Sequence, residues 1–162
     1  MYIKYRSEKS NVINILLEAA SDIEDYGWNP RGADHENEYD PFGTYARCPW
    51  VAVIRVIERI SAMHPGENTG TLLARAEDAL VAVAHVKDII ALFDLNDSIP
   101  EEQGKQWAIN LLKNAADFVS GVPVSDLVTE EMAIVSTKPM ESGNTTNAVN
   151  PAKRLLNWWH NR

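Results

Sequence analysis

Residues 44–64 read TYARCPWVAVIRVIERISAMH, and wound as a helix this stretch carries apolar side chains over most of its circumference. Val53, Ile54, Ile57 and Ile60 form the strongest stripe, with Arg55, Glu58 and Arg59 opposite. Pro49 is compatible only with the first turn, where its missing N–H does little harm, so the regular helix is expected to begin near Arg47 or Cys48. His64, Pro65 and Gly66 stop it. A helix apolar on so many sides is expected to be the most buried of its set, which requires other helices around it.

The flanking sequence supplies them. Upstream, residues 10–27 (SNVINILLEAASDIEDYG) place Val12, Leu16, Ala19, Ile23 and Tyr26 on one face, with Ser10 as the expected N-cap and Gly27 positioned to end the helix in the left-handed conformation. Residues 28–43 (WNPRGADHENEYDPFG) have no sustained period and read as a long loop, a feature that in compact domains is functional or poorly ordered. Downstream of residues 67–70 (ENTG), Leu72, Ala76, Ala79, Leu80, Val83, Val86, Ile90 and Phe93 continue one helical face, with room for a break near His85. Ser98 and Glu101 fit the capping pattern S-x-x-E, and Pro100 falls in the first turn of the helix it would open. That helix turns Trp107, Leu111, Leu112, Ala115, Phe118 and Val119 inward until Gly121 and Pro123 end it.

The expected fold is therefore all-α: a compact bundle of four main helices at 10–27, 46–64, 71–94 and 99–120, followed by a short helix at 125–133. Residues 1–135 form the helical domain, 136–150 (STKPMESGNTTNAVN) a polar linker, and 151–162 (PAKRLLNWWHNR) a C-terminal helical tail capped by Asn150. No strand pair with hairpin chemistry and no internal repeat is present.

Composition narrows the function classes. In 162 residues there is one cysteine, Cys48, too few for an intramolecular disulfide or a cysteine-ligated zinc site. With no apolar run near the ~20 residues of a membrane span and no signal-peptide pattern at the start, a cytoplasmic protein is expected. The net charge of −8 is unevenly spread: residues 1–9 carry +2, residues 10–135 hold eight basic against twenty-one acidic side chains, and the remainder carries +3. An acidic body with basic ends argues against a folded surface that grips nucleic acid, while it keeps a small protein soluble and suits a basic partner.

The first helix ending in Tyr26-Gly27-Trp28, the loop leading to Cys48 at the start of an apolar helix, and Phe93-Asp94-Leu95-Asn96-Asp97 before a helix ending in Ala115 and Ala116 occur together over residues 11–120. In these pieces the chain resembles an uncharacterised family, a domain of unknown function, of small actinobacterial and actinophage proteins. It departs from that family at Pro49-Trp50, where small residues usually follow the cysteine. The resemblance implies an all-helical domain in an actinobacterial or phage setting and carries no activity with it.

Several clusters resemble chemistry. Asp34, His35, Glu36, Asn37, Glu38, Tyr39 and Asp40 offer oxygens for calcium, yet the sixth and twelfth positions of an EF-hand loop are Tyr39 and Tyr45 in place of Gly and Glu, so no metal site is expected. Cys48 as a nucleophile would need a base from His35, His64 or His85, and a cysteine entering an apolar helix reads better as a small buried hydrophobe. His85 reads as a core or interface histidine, and Asp94, Asn96 and Asp97 as groups favouring the dipole of the helix after Ser98. Nucleotide and zinc-hydrolase motifs are absent, and no cofactor is expected. In the tail, Lys153, Arg154, Leu155, Leu156, Trp158, Trp159 and Arg162 make a basic amphipathic segment suited to docking in a groove or on a membrane surface, or to folding back on the domain.

The reading that follows is a non-enzymatic, phage-encoded accessory protein that binds a host or phage protein through Trp28, Lys153, Arg154, Leu155, Trp158 and Trp159, with homo-oligomerisation open. Its rivals are a small enzyme using Cys48 and the loop 34–40, and a regulator touching nucleic acid with its basic termini.

Overall fold

In the computed structural model, residues 8–30, 47–123 and 126–127 are described, all within one compact unit, Met1–Leu127. Among them are five helices, α1 (Glu8–Tyr26), α2 (Pro49–Met63), α3 (Thr69–Ala84), α4 (Ile89–Ser98) and α5 (Glu101–Ser120), and no strand beyond one isolated bridge. The all-α reading holds. None of these helices is long and apolar enough to cross a membrane. The short helix expected at 125–133, apart from Asp126 and Leu127, lies outside the described residues, as do the linker and the tail.

The bundle is built on α1 and α5, which share its largest interface. They run antiparallel: Lys9, near the start of α1, donates to the Ser120 carbonyl at the end of α5, while Trp28, just beyond α1, lies on Gly104 in the first turns of α5. Val12, Ile15, Leu16, Ala19 and Ile23 of α1 face Ala108, Leu111, Leu112 and Ala115 of α5 in a core closed by α2 and α3. The alternation of branched side chains with alanines lets the helices approach closely. Tyr26, expected on the inner face, is instead 40% exposed, because the helix ends there and its ring turns to Arg47.

Several boundaries move for identifiable reasons. α1 begins at Glu8, so Ser10 lies inside it and not at its cap. α2 starts at Pro49, three residues after the 46 expected, with Pro49 in its first turn as expected and Cys48 as N-cap. The long helix expected at 71–94 is two helices. His85 takes a left-handed backbone (φ 54°, ψ 37°), the one non-glycine residue described with positive φ, and Asp88 opens α4 by accepting the Ala91 N–H at 2.8 Å.

The capping box at Ser98 does not form. Ser98 is the last residue of α4 and its hydroxyl donates back to the Leu95 carbonyl, while α5 opens at Glu101 with Pro100 in the cap position. The cause is Pro100: a residue before proline is held out of the helical region, and Ile99 is accordingly extended (φ −71°, ψ 131°). Asp94, Asn96 and Asp97 thus close α4 and do not precede a helix at Ser98. Gly27 (φ 98°) and Gly121 (φ 114°) end α1 and α5 in the conformation expected of them.

Candidate functional site

The long loop of the sequence leaves and re-enters the bundle at one place. Its described ends, Trp28 and Arg47, form a parallel bridge: the Arg47 N–H donates to the Gly27 carbonyl at 3.0 Å and the Asn29 N–H to the Arg47 carbonyl at 3.3 Å. Residues 31–46, including the acidic cluster 34–40 with His35, lie outside the described residues.

Two side-chain clusters fasten this junction. On the first strand of the bridge, the half-buried Trp28 indole N–H donates to Asn96 Oδ1 at 2.9 Å, and Asn96 Nδ2 donates in turn to the Pro30 carbonyl at 2.9 Å. Asn96 is 2% exposed, so a buried amide on α4 holds residues on both sides of Asn29. The indole ring fits over Gly104 of α5 so closely that a Cβ there would stand 2.1–2.4 Å from three of its atoms. Trp28, expected to face a partner, is thus tied to two helices, α4 and α5, and to Arg47 through the bridge.

On the second strand, Arg47 is buried to 2% and its Nη1 donates to Asp22 Oδ2 at 2.7 Å. The same oxygen accepts Arg59 Nη2 at 2.8 Å, and Arg59 also reaches Glu18 at 3.1 Å. Arg47 further lies 5.6 Å from the Tyr26 ring centroid, within cation–π range. Burial pushes the Arg47 guanidinium below its usual value; Asp22 opposes the fall, and the nearby Arg59 and Arg55 add to it. Arg55, expected on the outer face of α2, is buried to 8% and pairs with Glu58 at 3.0 Å. The sequence reading found none of this network. The signals were there: Asp22 sits three residues from Ala19 on an apolar face, a position that requires a partner.

Cys48, the next residue after the bridge, is buried, as a small hydrophobe would be. Its sulfur accepts the Val51 N–H at 3.5 Å as the N-cap of α2. Burial pushes its thiol up to about 11, outweighing the backbone N–H groups that favour the thiolate. His64 caps the far end of α2, about 20 Å or more away by helical rise, and His85 is exposed at the end of α3. At that distance His64 does not serve Cys48 as a base. Among the described residues no three His, Cys, Asp or Glu side chains gather as metal ligands.

The thiol gives a measurable pH dependence. Its folded value of about 11 lies above its usual value of 9.0, so the proton is held more tightly in the native state and stability falls as pH rises from about 9 to about 11. Relative to Cys48→Ser, the native protein should lose about 2 kcal/mol over that range, measured by urea denaturation at pH 8 and pH 11. An unchanged difference would mean that the thiol is not sealed in.

Comparison with known proteins returns no match: no family model, no curated protein and no solved structure corresponds to this chain. Lys153, Arg154, Leu155, Trp158 and Trp159, the remaining expected partner-binding residues, lie outside the described residues.

Proposed function

We propose that this chain is a non-enzymatic accessory protein that acts by binding another protein, through the loop held at Trp28 and Arg47 and through the basic tail that bears Trp158 and Trp159. The phage setting rests on the family resemblance of residues 11–120. The observation that carries the reading is the loop junction: a buried Asn96, a buried Arg47–Asp22 pair and a glycine shaped to an indole all serve to fix the residues on either side of 31–46. Binding residues are commonly mounted on loops positioned by a rigid scaffold, and this scaffold invests its costliest buried polar groups there. The rival built on Cys48 is weakened, because a sealed thiol that caps a helix stays protonated near neutral pH.

The test is affinity capture from lysate of the native host with the full chain, with the chain lacking 136–162, and with 31–46 replaced by a short glycine-serine linker. A protein retained by the full chain and lost from either variant, both still helical by circular dichroism, is the expected result. Retention of nothing, or of the same proteins by all three, would overturn the reading.

A further inference from the structure

Away from the loop junction, the start of α1, the end of α2 and the start of α3 enclose an open cleft of about 120 Å³. Its wall is largely aliphatic: Ile15 from α1, Ile60 and Met63 from α2, and Leu72 from α3. Glu18, on α1, and Glu67, between α2 and α3, stand among the lining residues. The arginine there, Arg59, is already engaged by Glu18 and Asp22. Met63 is 58% exposed, the highest of the large apolar side chains described. An unbranched, polarisable methionine at the mouth of an apolar recess is a side chain that adapts to what enters.

Size and charge select the occupant. The volume is somewhat less than the ~150 Å³ of a cavity that accepts a benzene ring, which suits one aliphatic side chain and is too small to enclose a cofactor. Glu67 at the cleft, where Glu18 is balanced by Arg59, within a body of eight basic and twenty-one acidic residues, favours a cationic carrier for that side chain. We infer that this cleft is a docking notch that takes a single leucine-sized side chain from a lysine- or arginine-rich segment of a partner protein. The inference rests on the protein-binding reading but uses a surface separate from the loop and the tail, so each can fail alone.

Methyl-resolved NMR of the full chain tests it, with a short peptide carrying one leucine between lysines as the probe. Saturable shifts at the Met63, Ile60, Ile15 and Leu72 methyls are expected. Affinity should fall at least about tenfold when glutamates replace the lysines, when alanine replaces the leucine, and in the Met63→Asp and Glu67→Lys variants, whose positions are not in the core. Equal binding of the glutamate peptide, shifts that map elsewhere, or no saturation would overturn the proposal. So would concentration-dependent shifts at the same methyls without peptide, which would place a second copy of the chain in the notch. Capture lost on removing the tail, with the notch inactive, would leave the protein-binding reading standing and remove only this inference.

Discussion

Gly104→Ala should destabilise the protein by roughly 2–4 kcal/mol, although the same change in an ordinary helix interior stabilises by up to about 1 kcal/mol. The reversal comes from the Trp28 ring. A Cβ at position 104 would lie 2.1 Å from Cζ3, 2.2 Å from Cε3 and 2.4 Å from Cη2, separations that real atoms do not adopt, so the indole must leave its seat. Leaving it breaks the 2.9 Å bond to Asn96 and leaves a buried amide oxygen without that donor, a loss of about 1–3 kcal/mol by itself. The pairing makes a decisive control. In a Trp28→Ala background, itself destabilised by loss of the half-buried ring and its bond to Asn96, Gly104→Ala should become stabilising by up to about 1 kcal/mol. Guanidinium denaturation of the four proteins in this cycle measures the coupling directly. Additive effects would mean that the indole does not rest on Gly104.

How far the fold could be read from the sequence follows the range of the forces involved. Apolar periodicity reports which face of a helix is buried, and Leu72, Ala76, Ala79, Leu80 and Val83 of α3 are buried as their spacing requires. Local backbone chemistry was equally readable where one residue dominates, as at Gly27, Pro49 and Gly121. It failed where two local rules competed. Ser98 and Glu101 satisfy a capping pattern, but Pro100 forbids the helical conformation to Ile99 between them, and the steric rule outweighs a hydrogen bond that serine can make elsewhere. The break at His85 was legible as room for one near that residue but not as a certain helix end, because Val86, Ile90 and Phe93 preserve the apolar period across it. The junction itself depends on contacts across 25 to 68 positions of sequence, Asp22 with Arg47 and Trp28 with Asn96, and no periodicity within one helix encodes those. Its local hints were Gly104, an isolated glycine inside a helical pattern, and Asp22, a carboxylate on the apolar face of α1.

The second large effect is expected at Asp22. Its Oδ2 accepts from Arg47 at 2.7 Å and from Arg59 at 2.8 Å, so one carboxylate compensates two guanidiniums, one of them almost fully buried. Asp22→Ala should cost about 3–5 kcal/mol, because it leaves Arg47 charged, buried and facing the like charge of Arg59, while Glu18 can still serve Arg59. High salt should restore little, since ions do not enter a buried site to screen it. Replacing the pair together, as Asp22→Leu with Arg47→Met, should recover most of the loss, as removal of a whole buried ion pair is often neutral. Amide hydrogen exchange then separates a local role from a global one. The Arg47 and Asn29 N–H groups, which hold the bridge by bonding to the carbonyls of Gly27 and Arg47, should lose more protection in Asp22→Ala than the α5 amides around Leu111 do. Such a pattern would mean that the carboxylate fastens the two ends of the loop to the bundle. A uniform loss across all helices would reduce Asp22 to a contributor to overall stability and would remove the junction as the support for a binding loop.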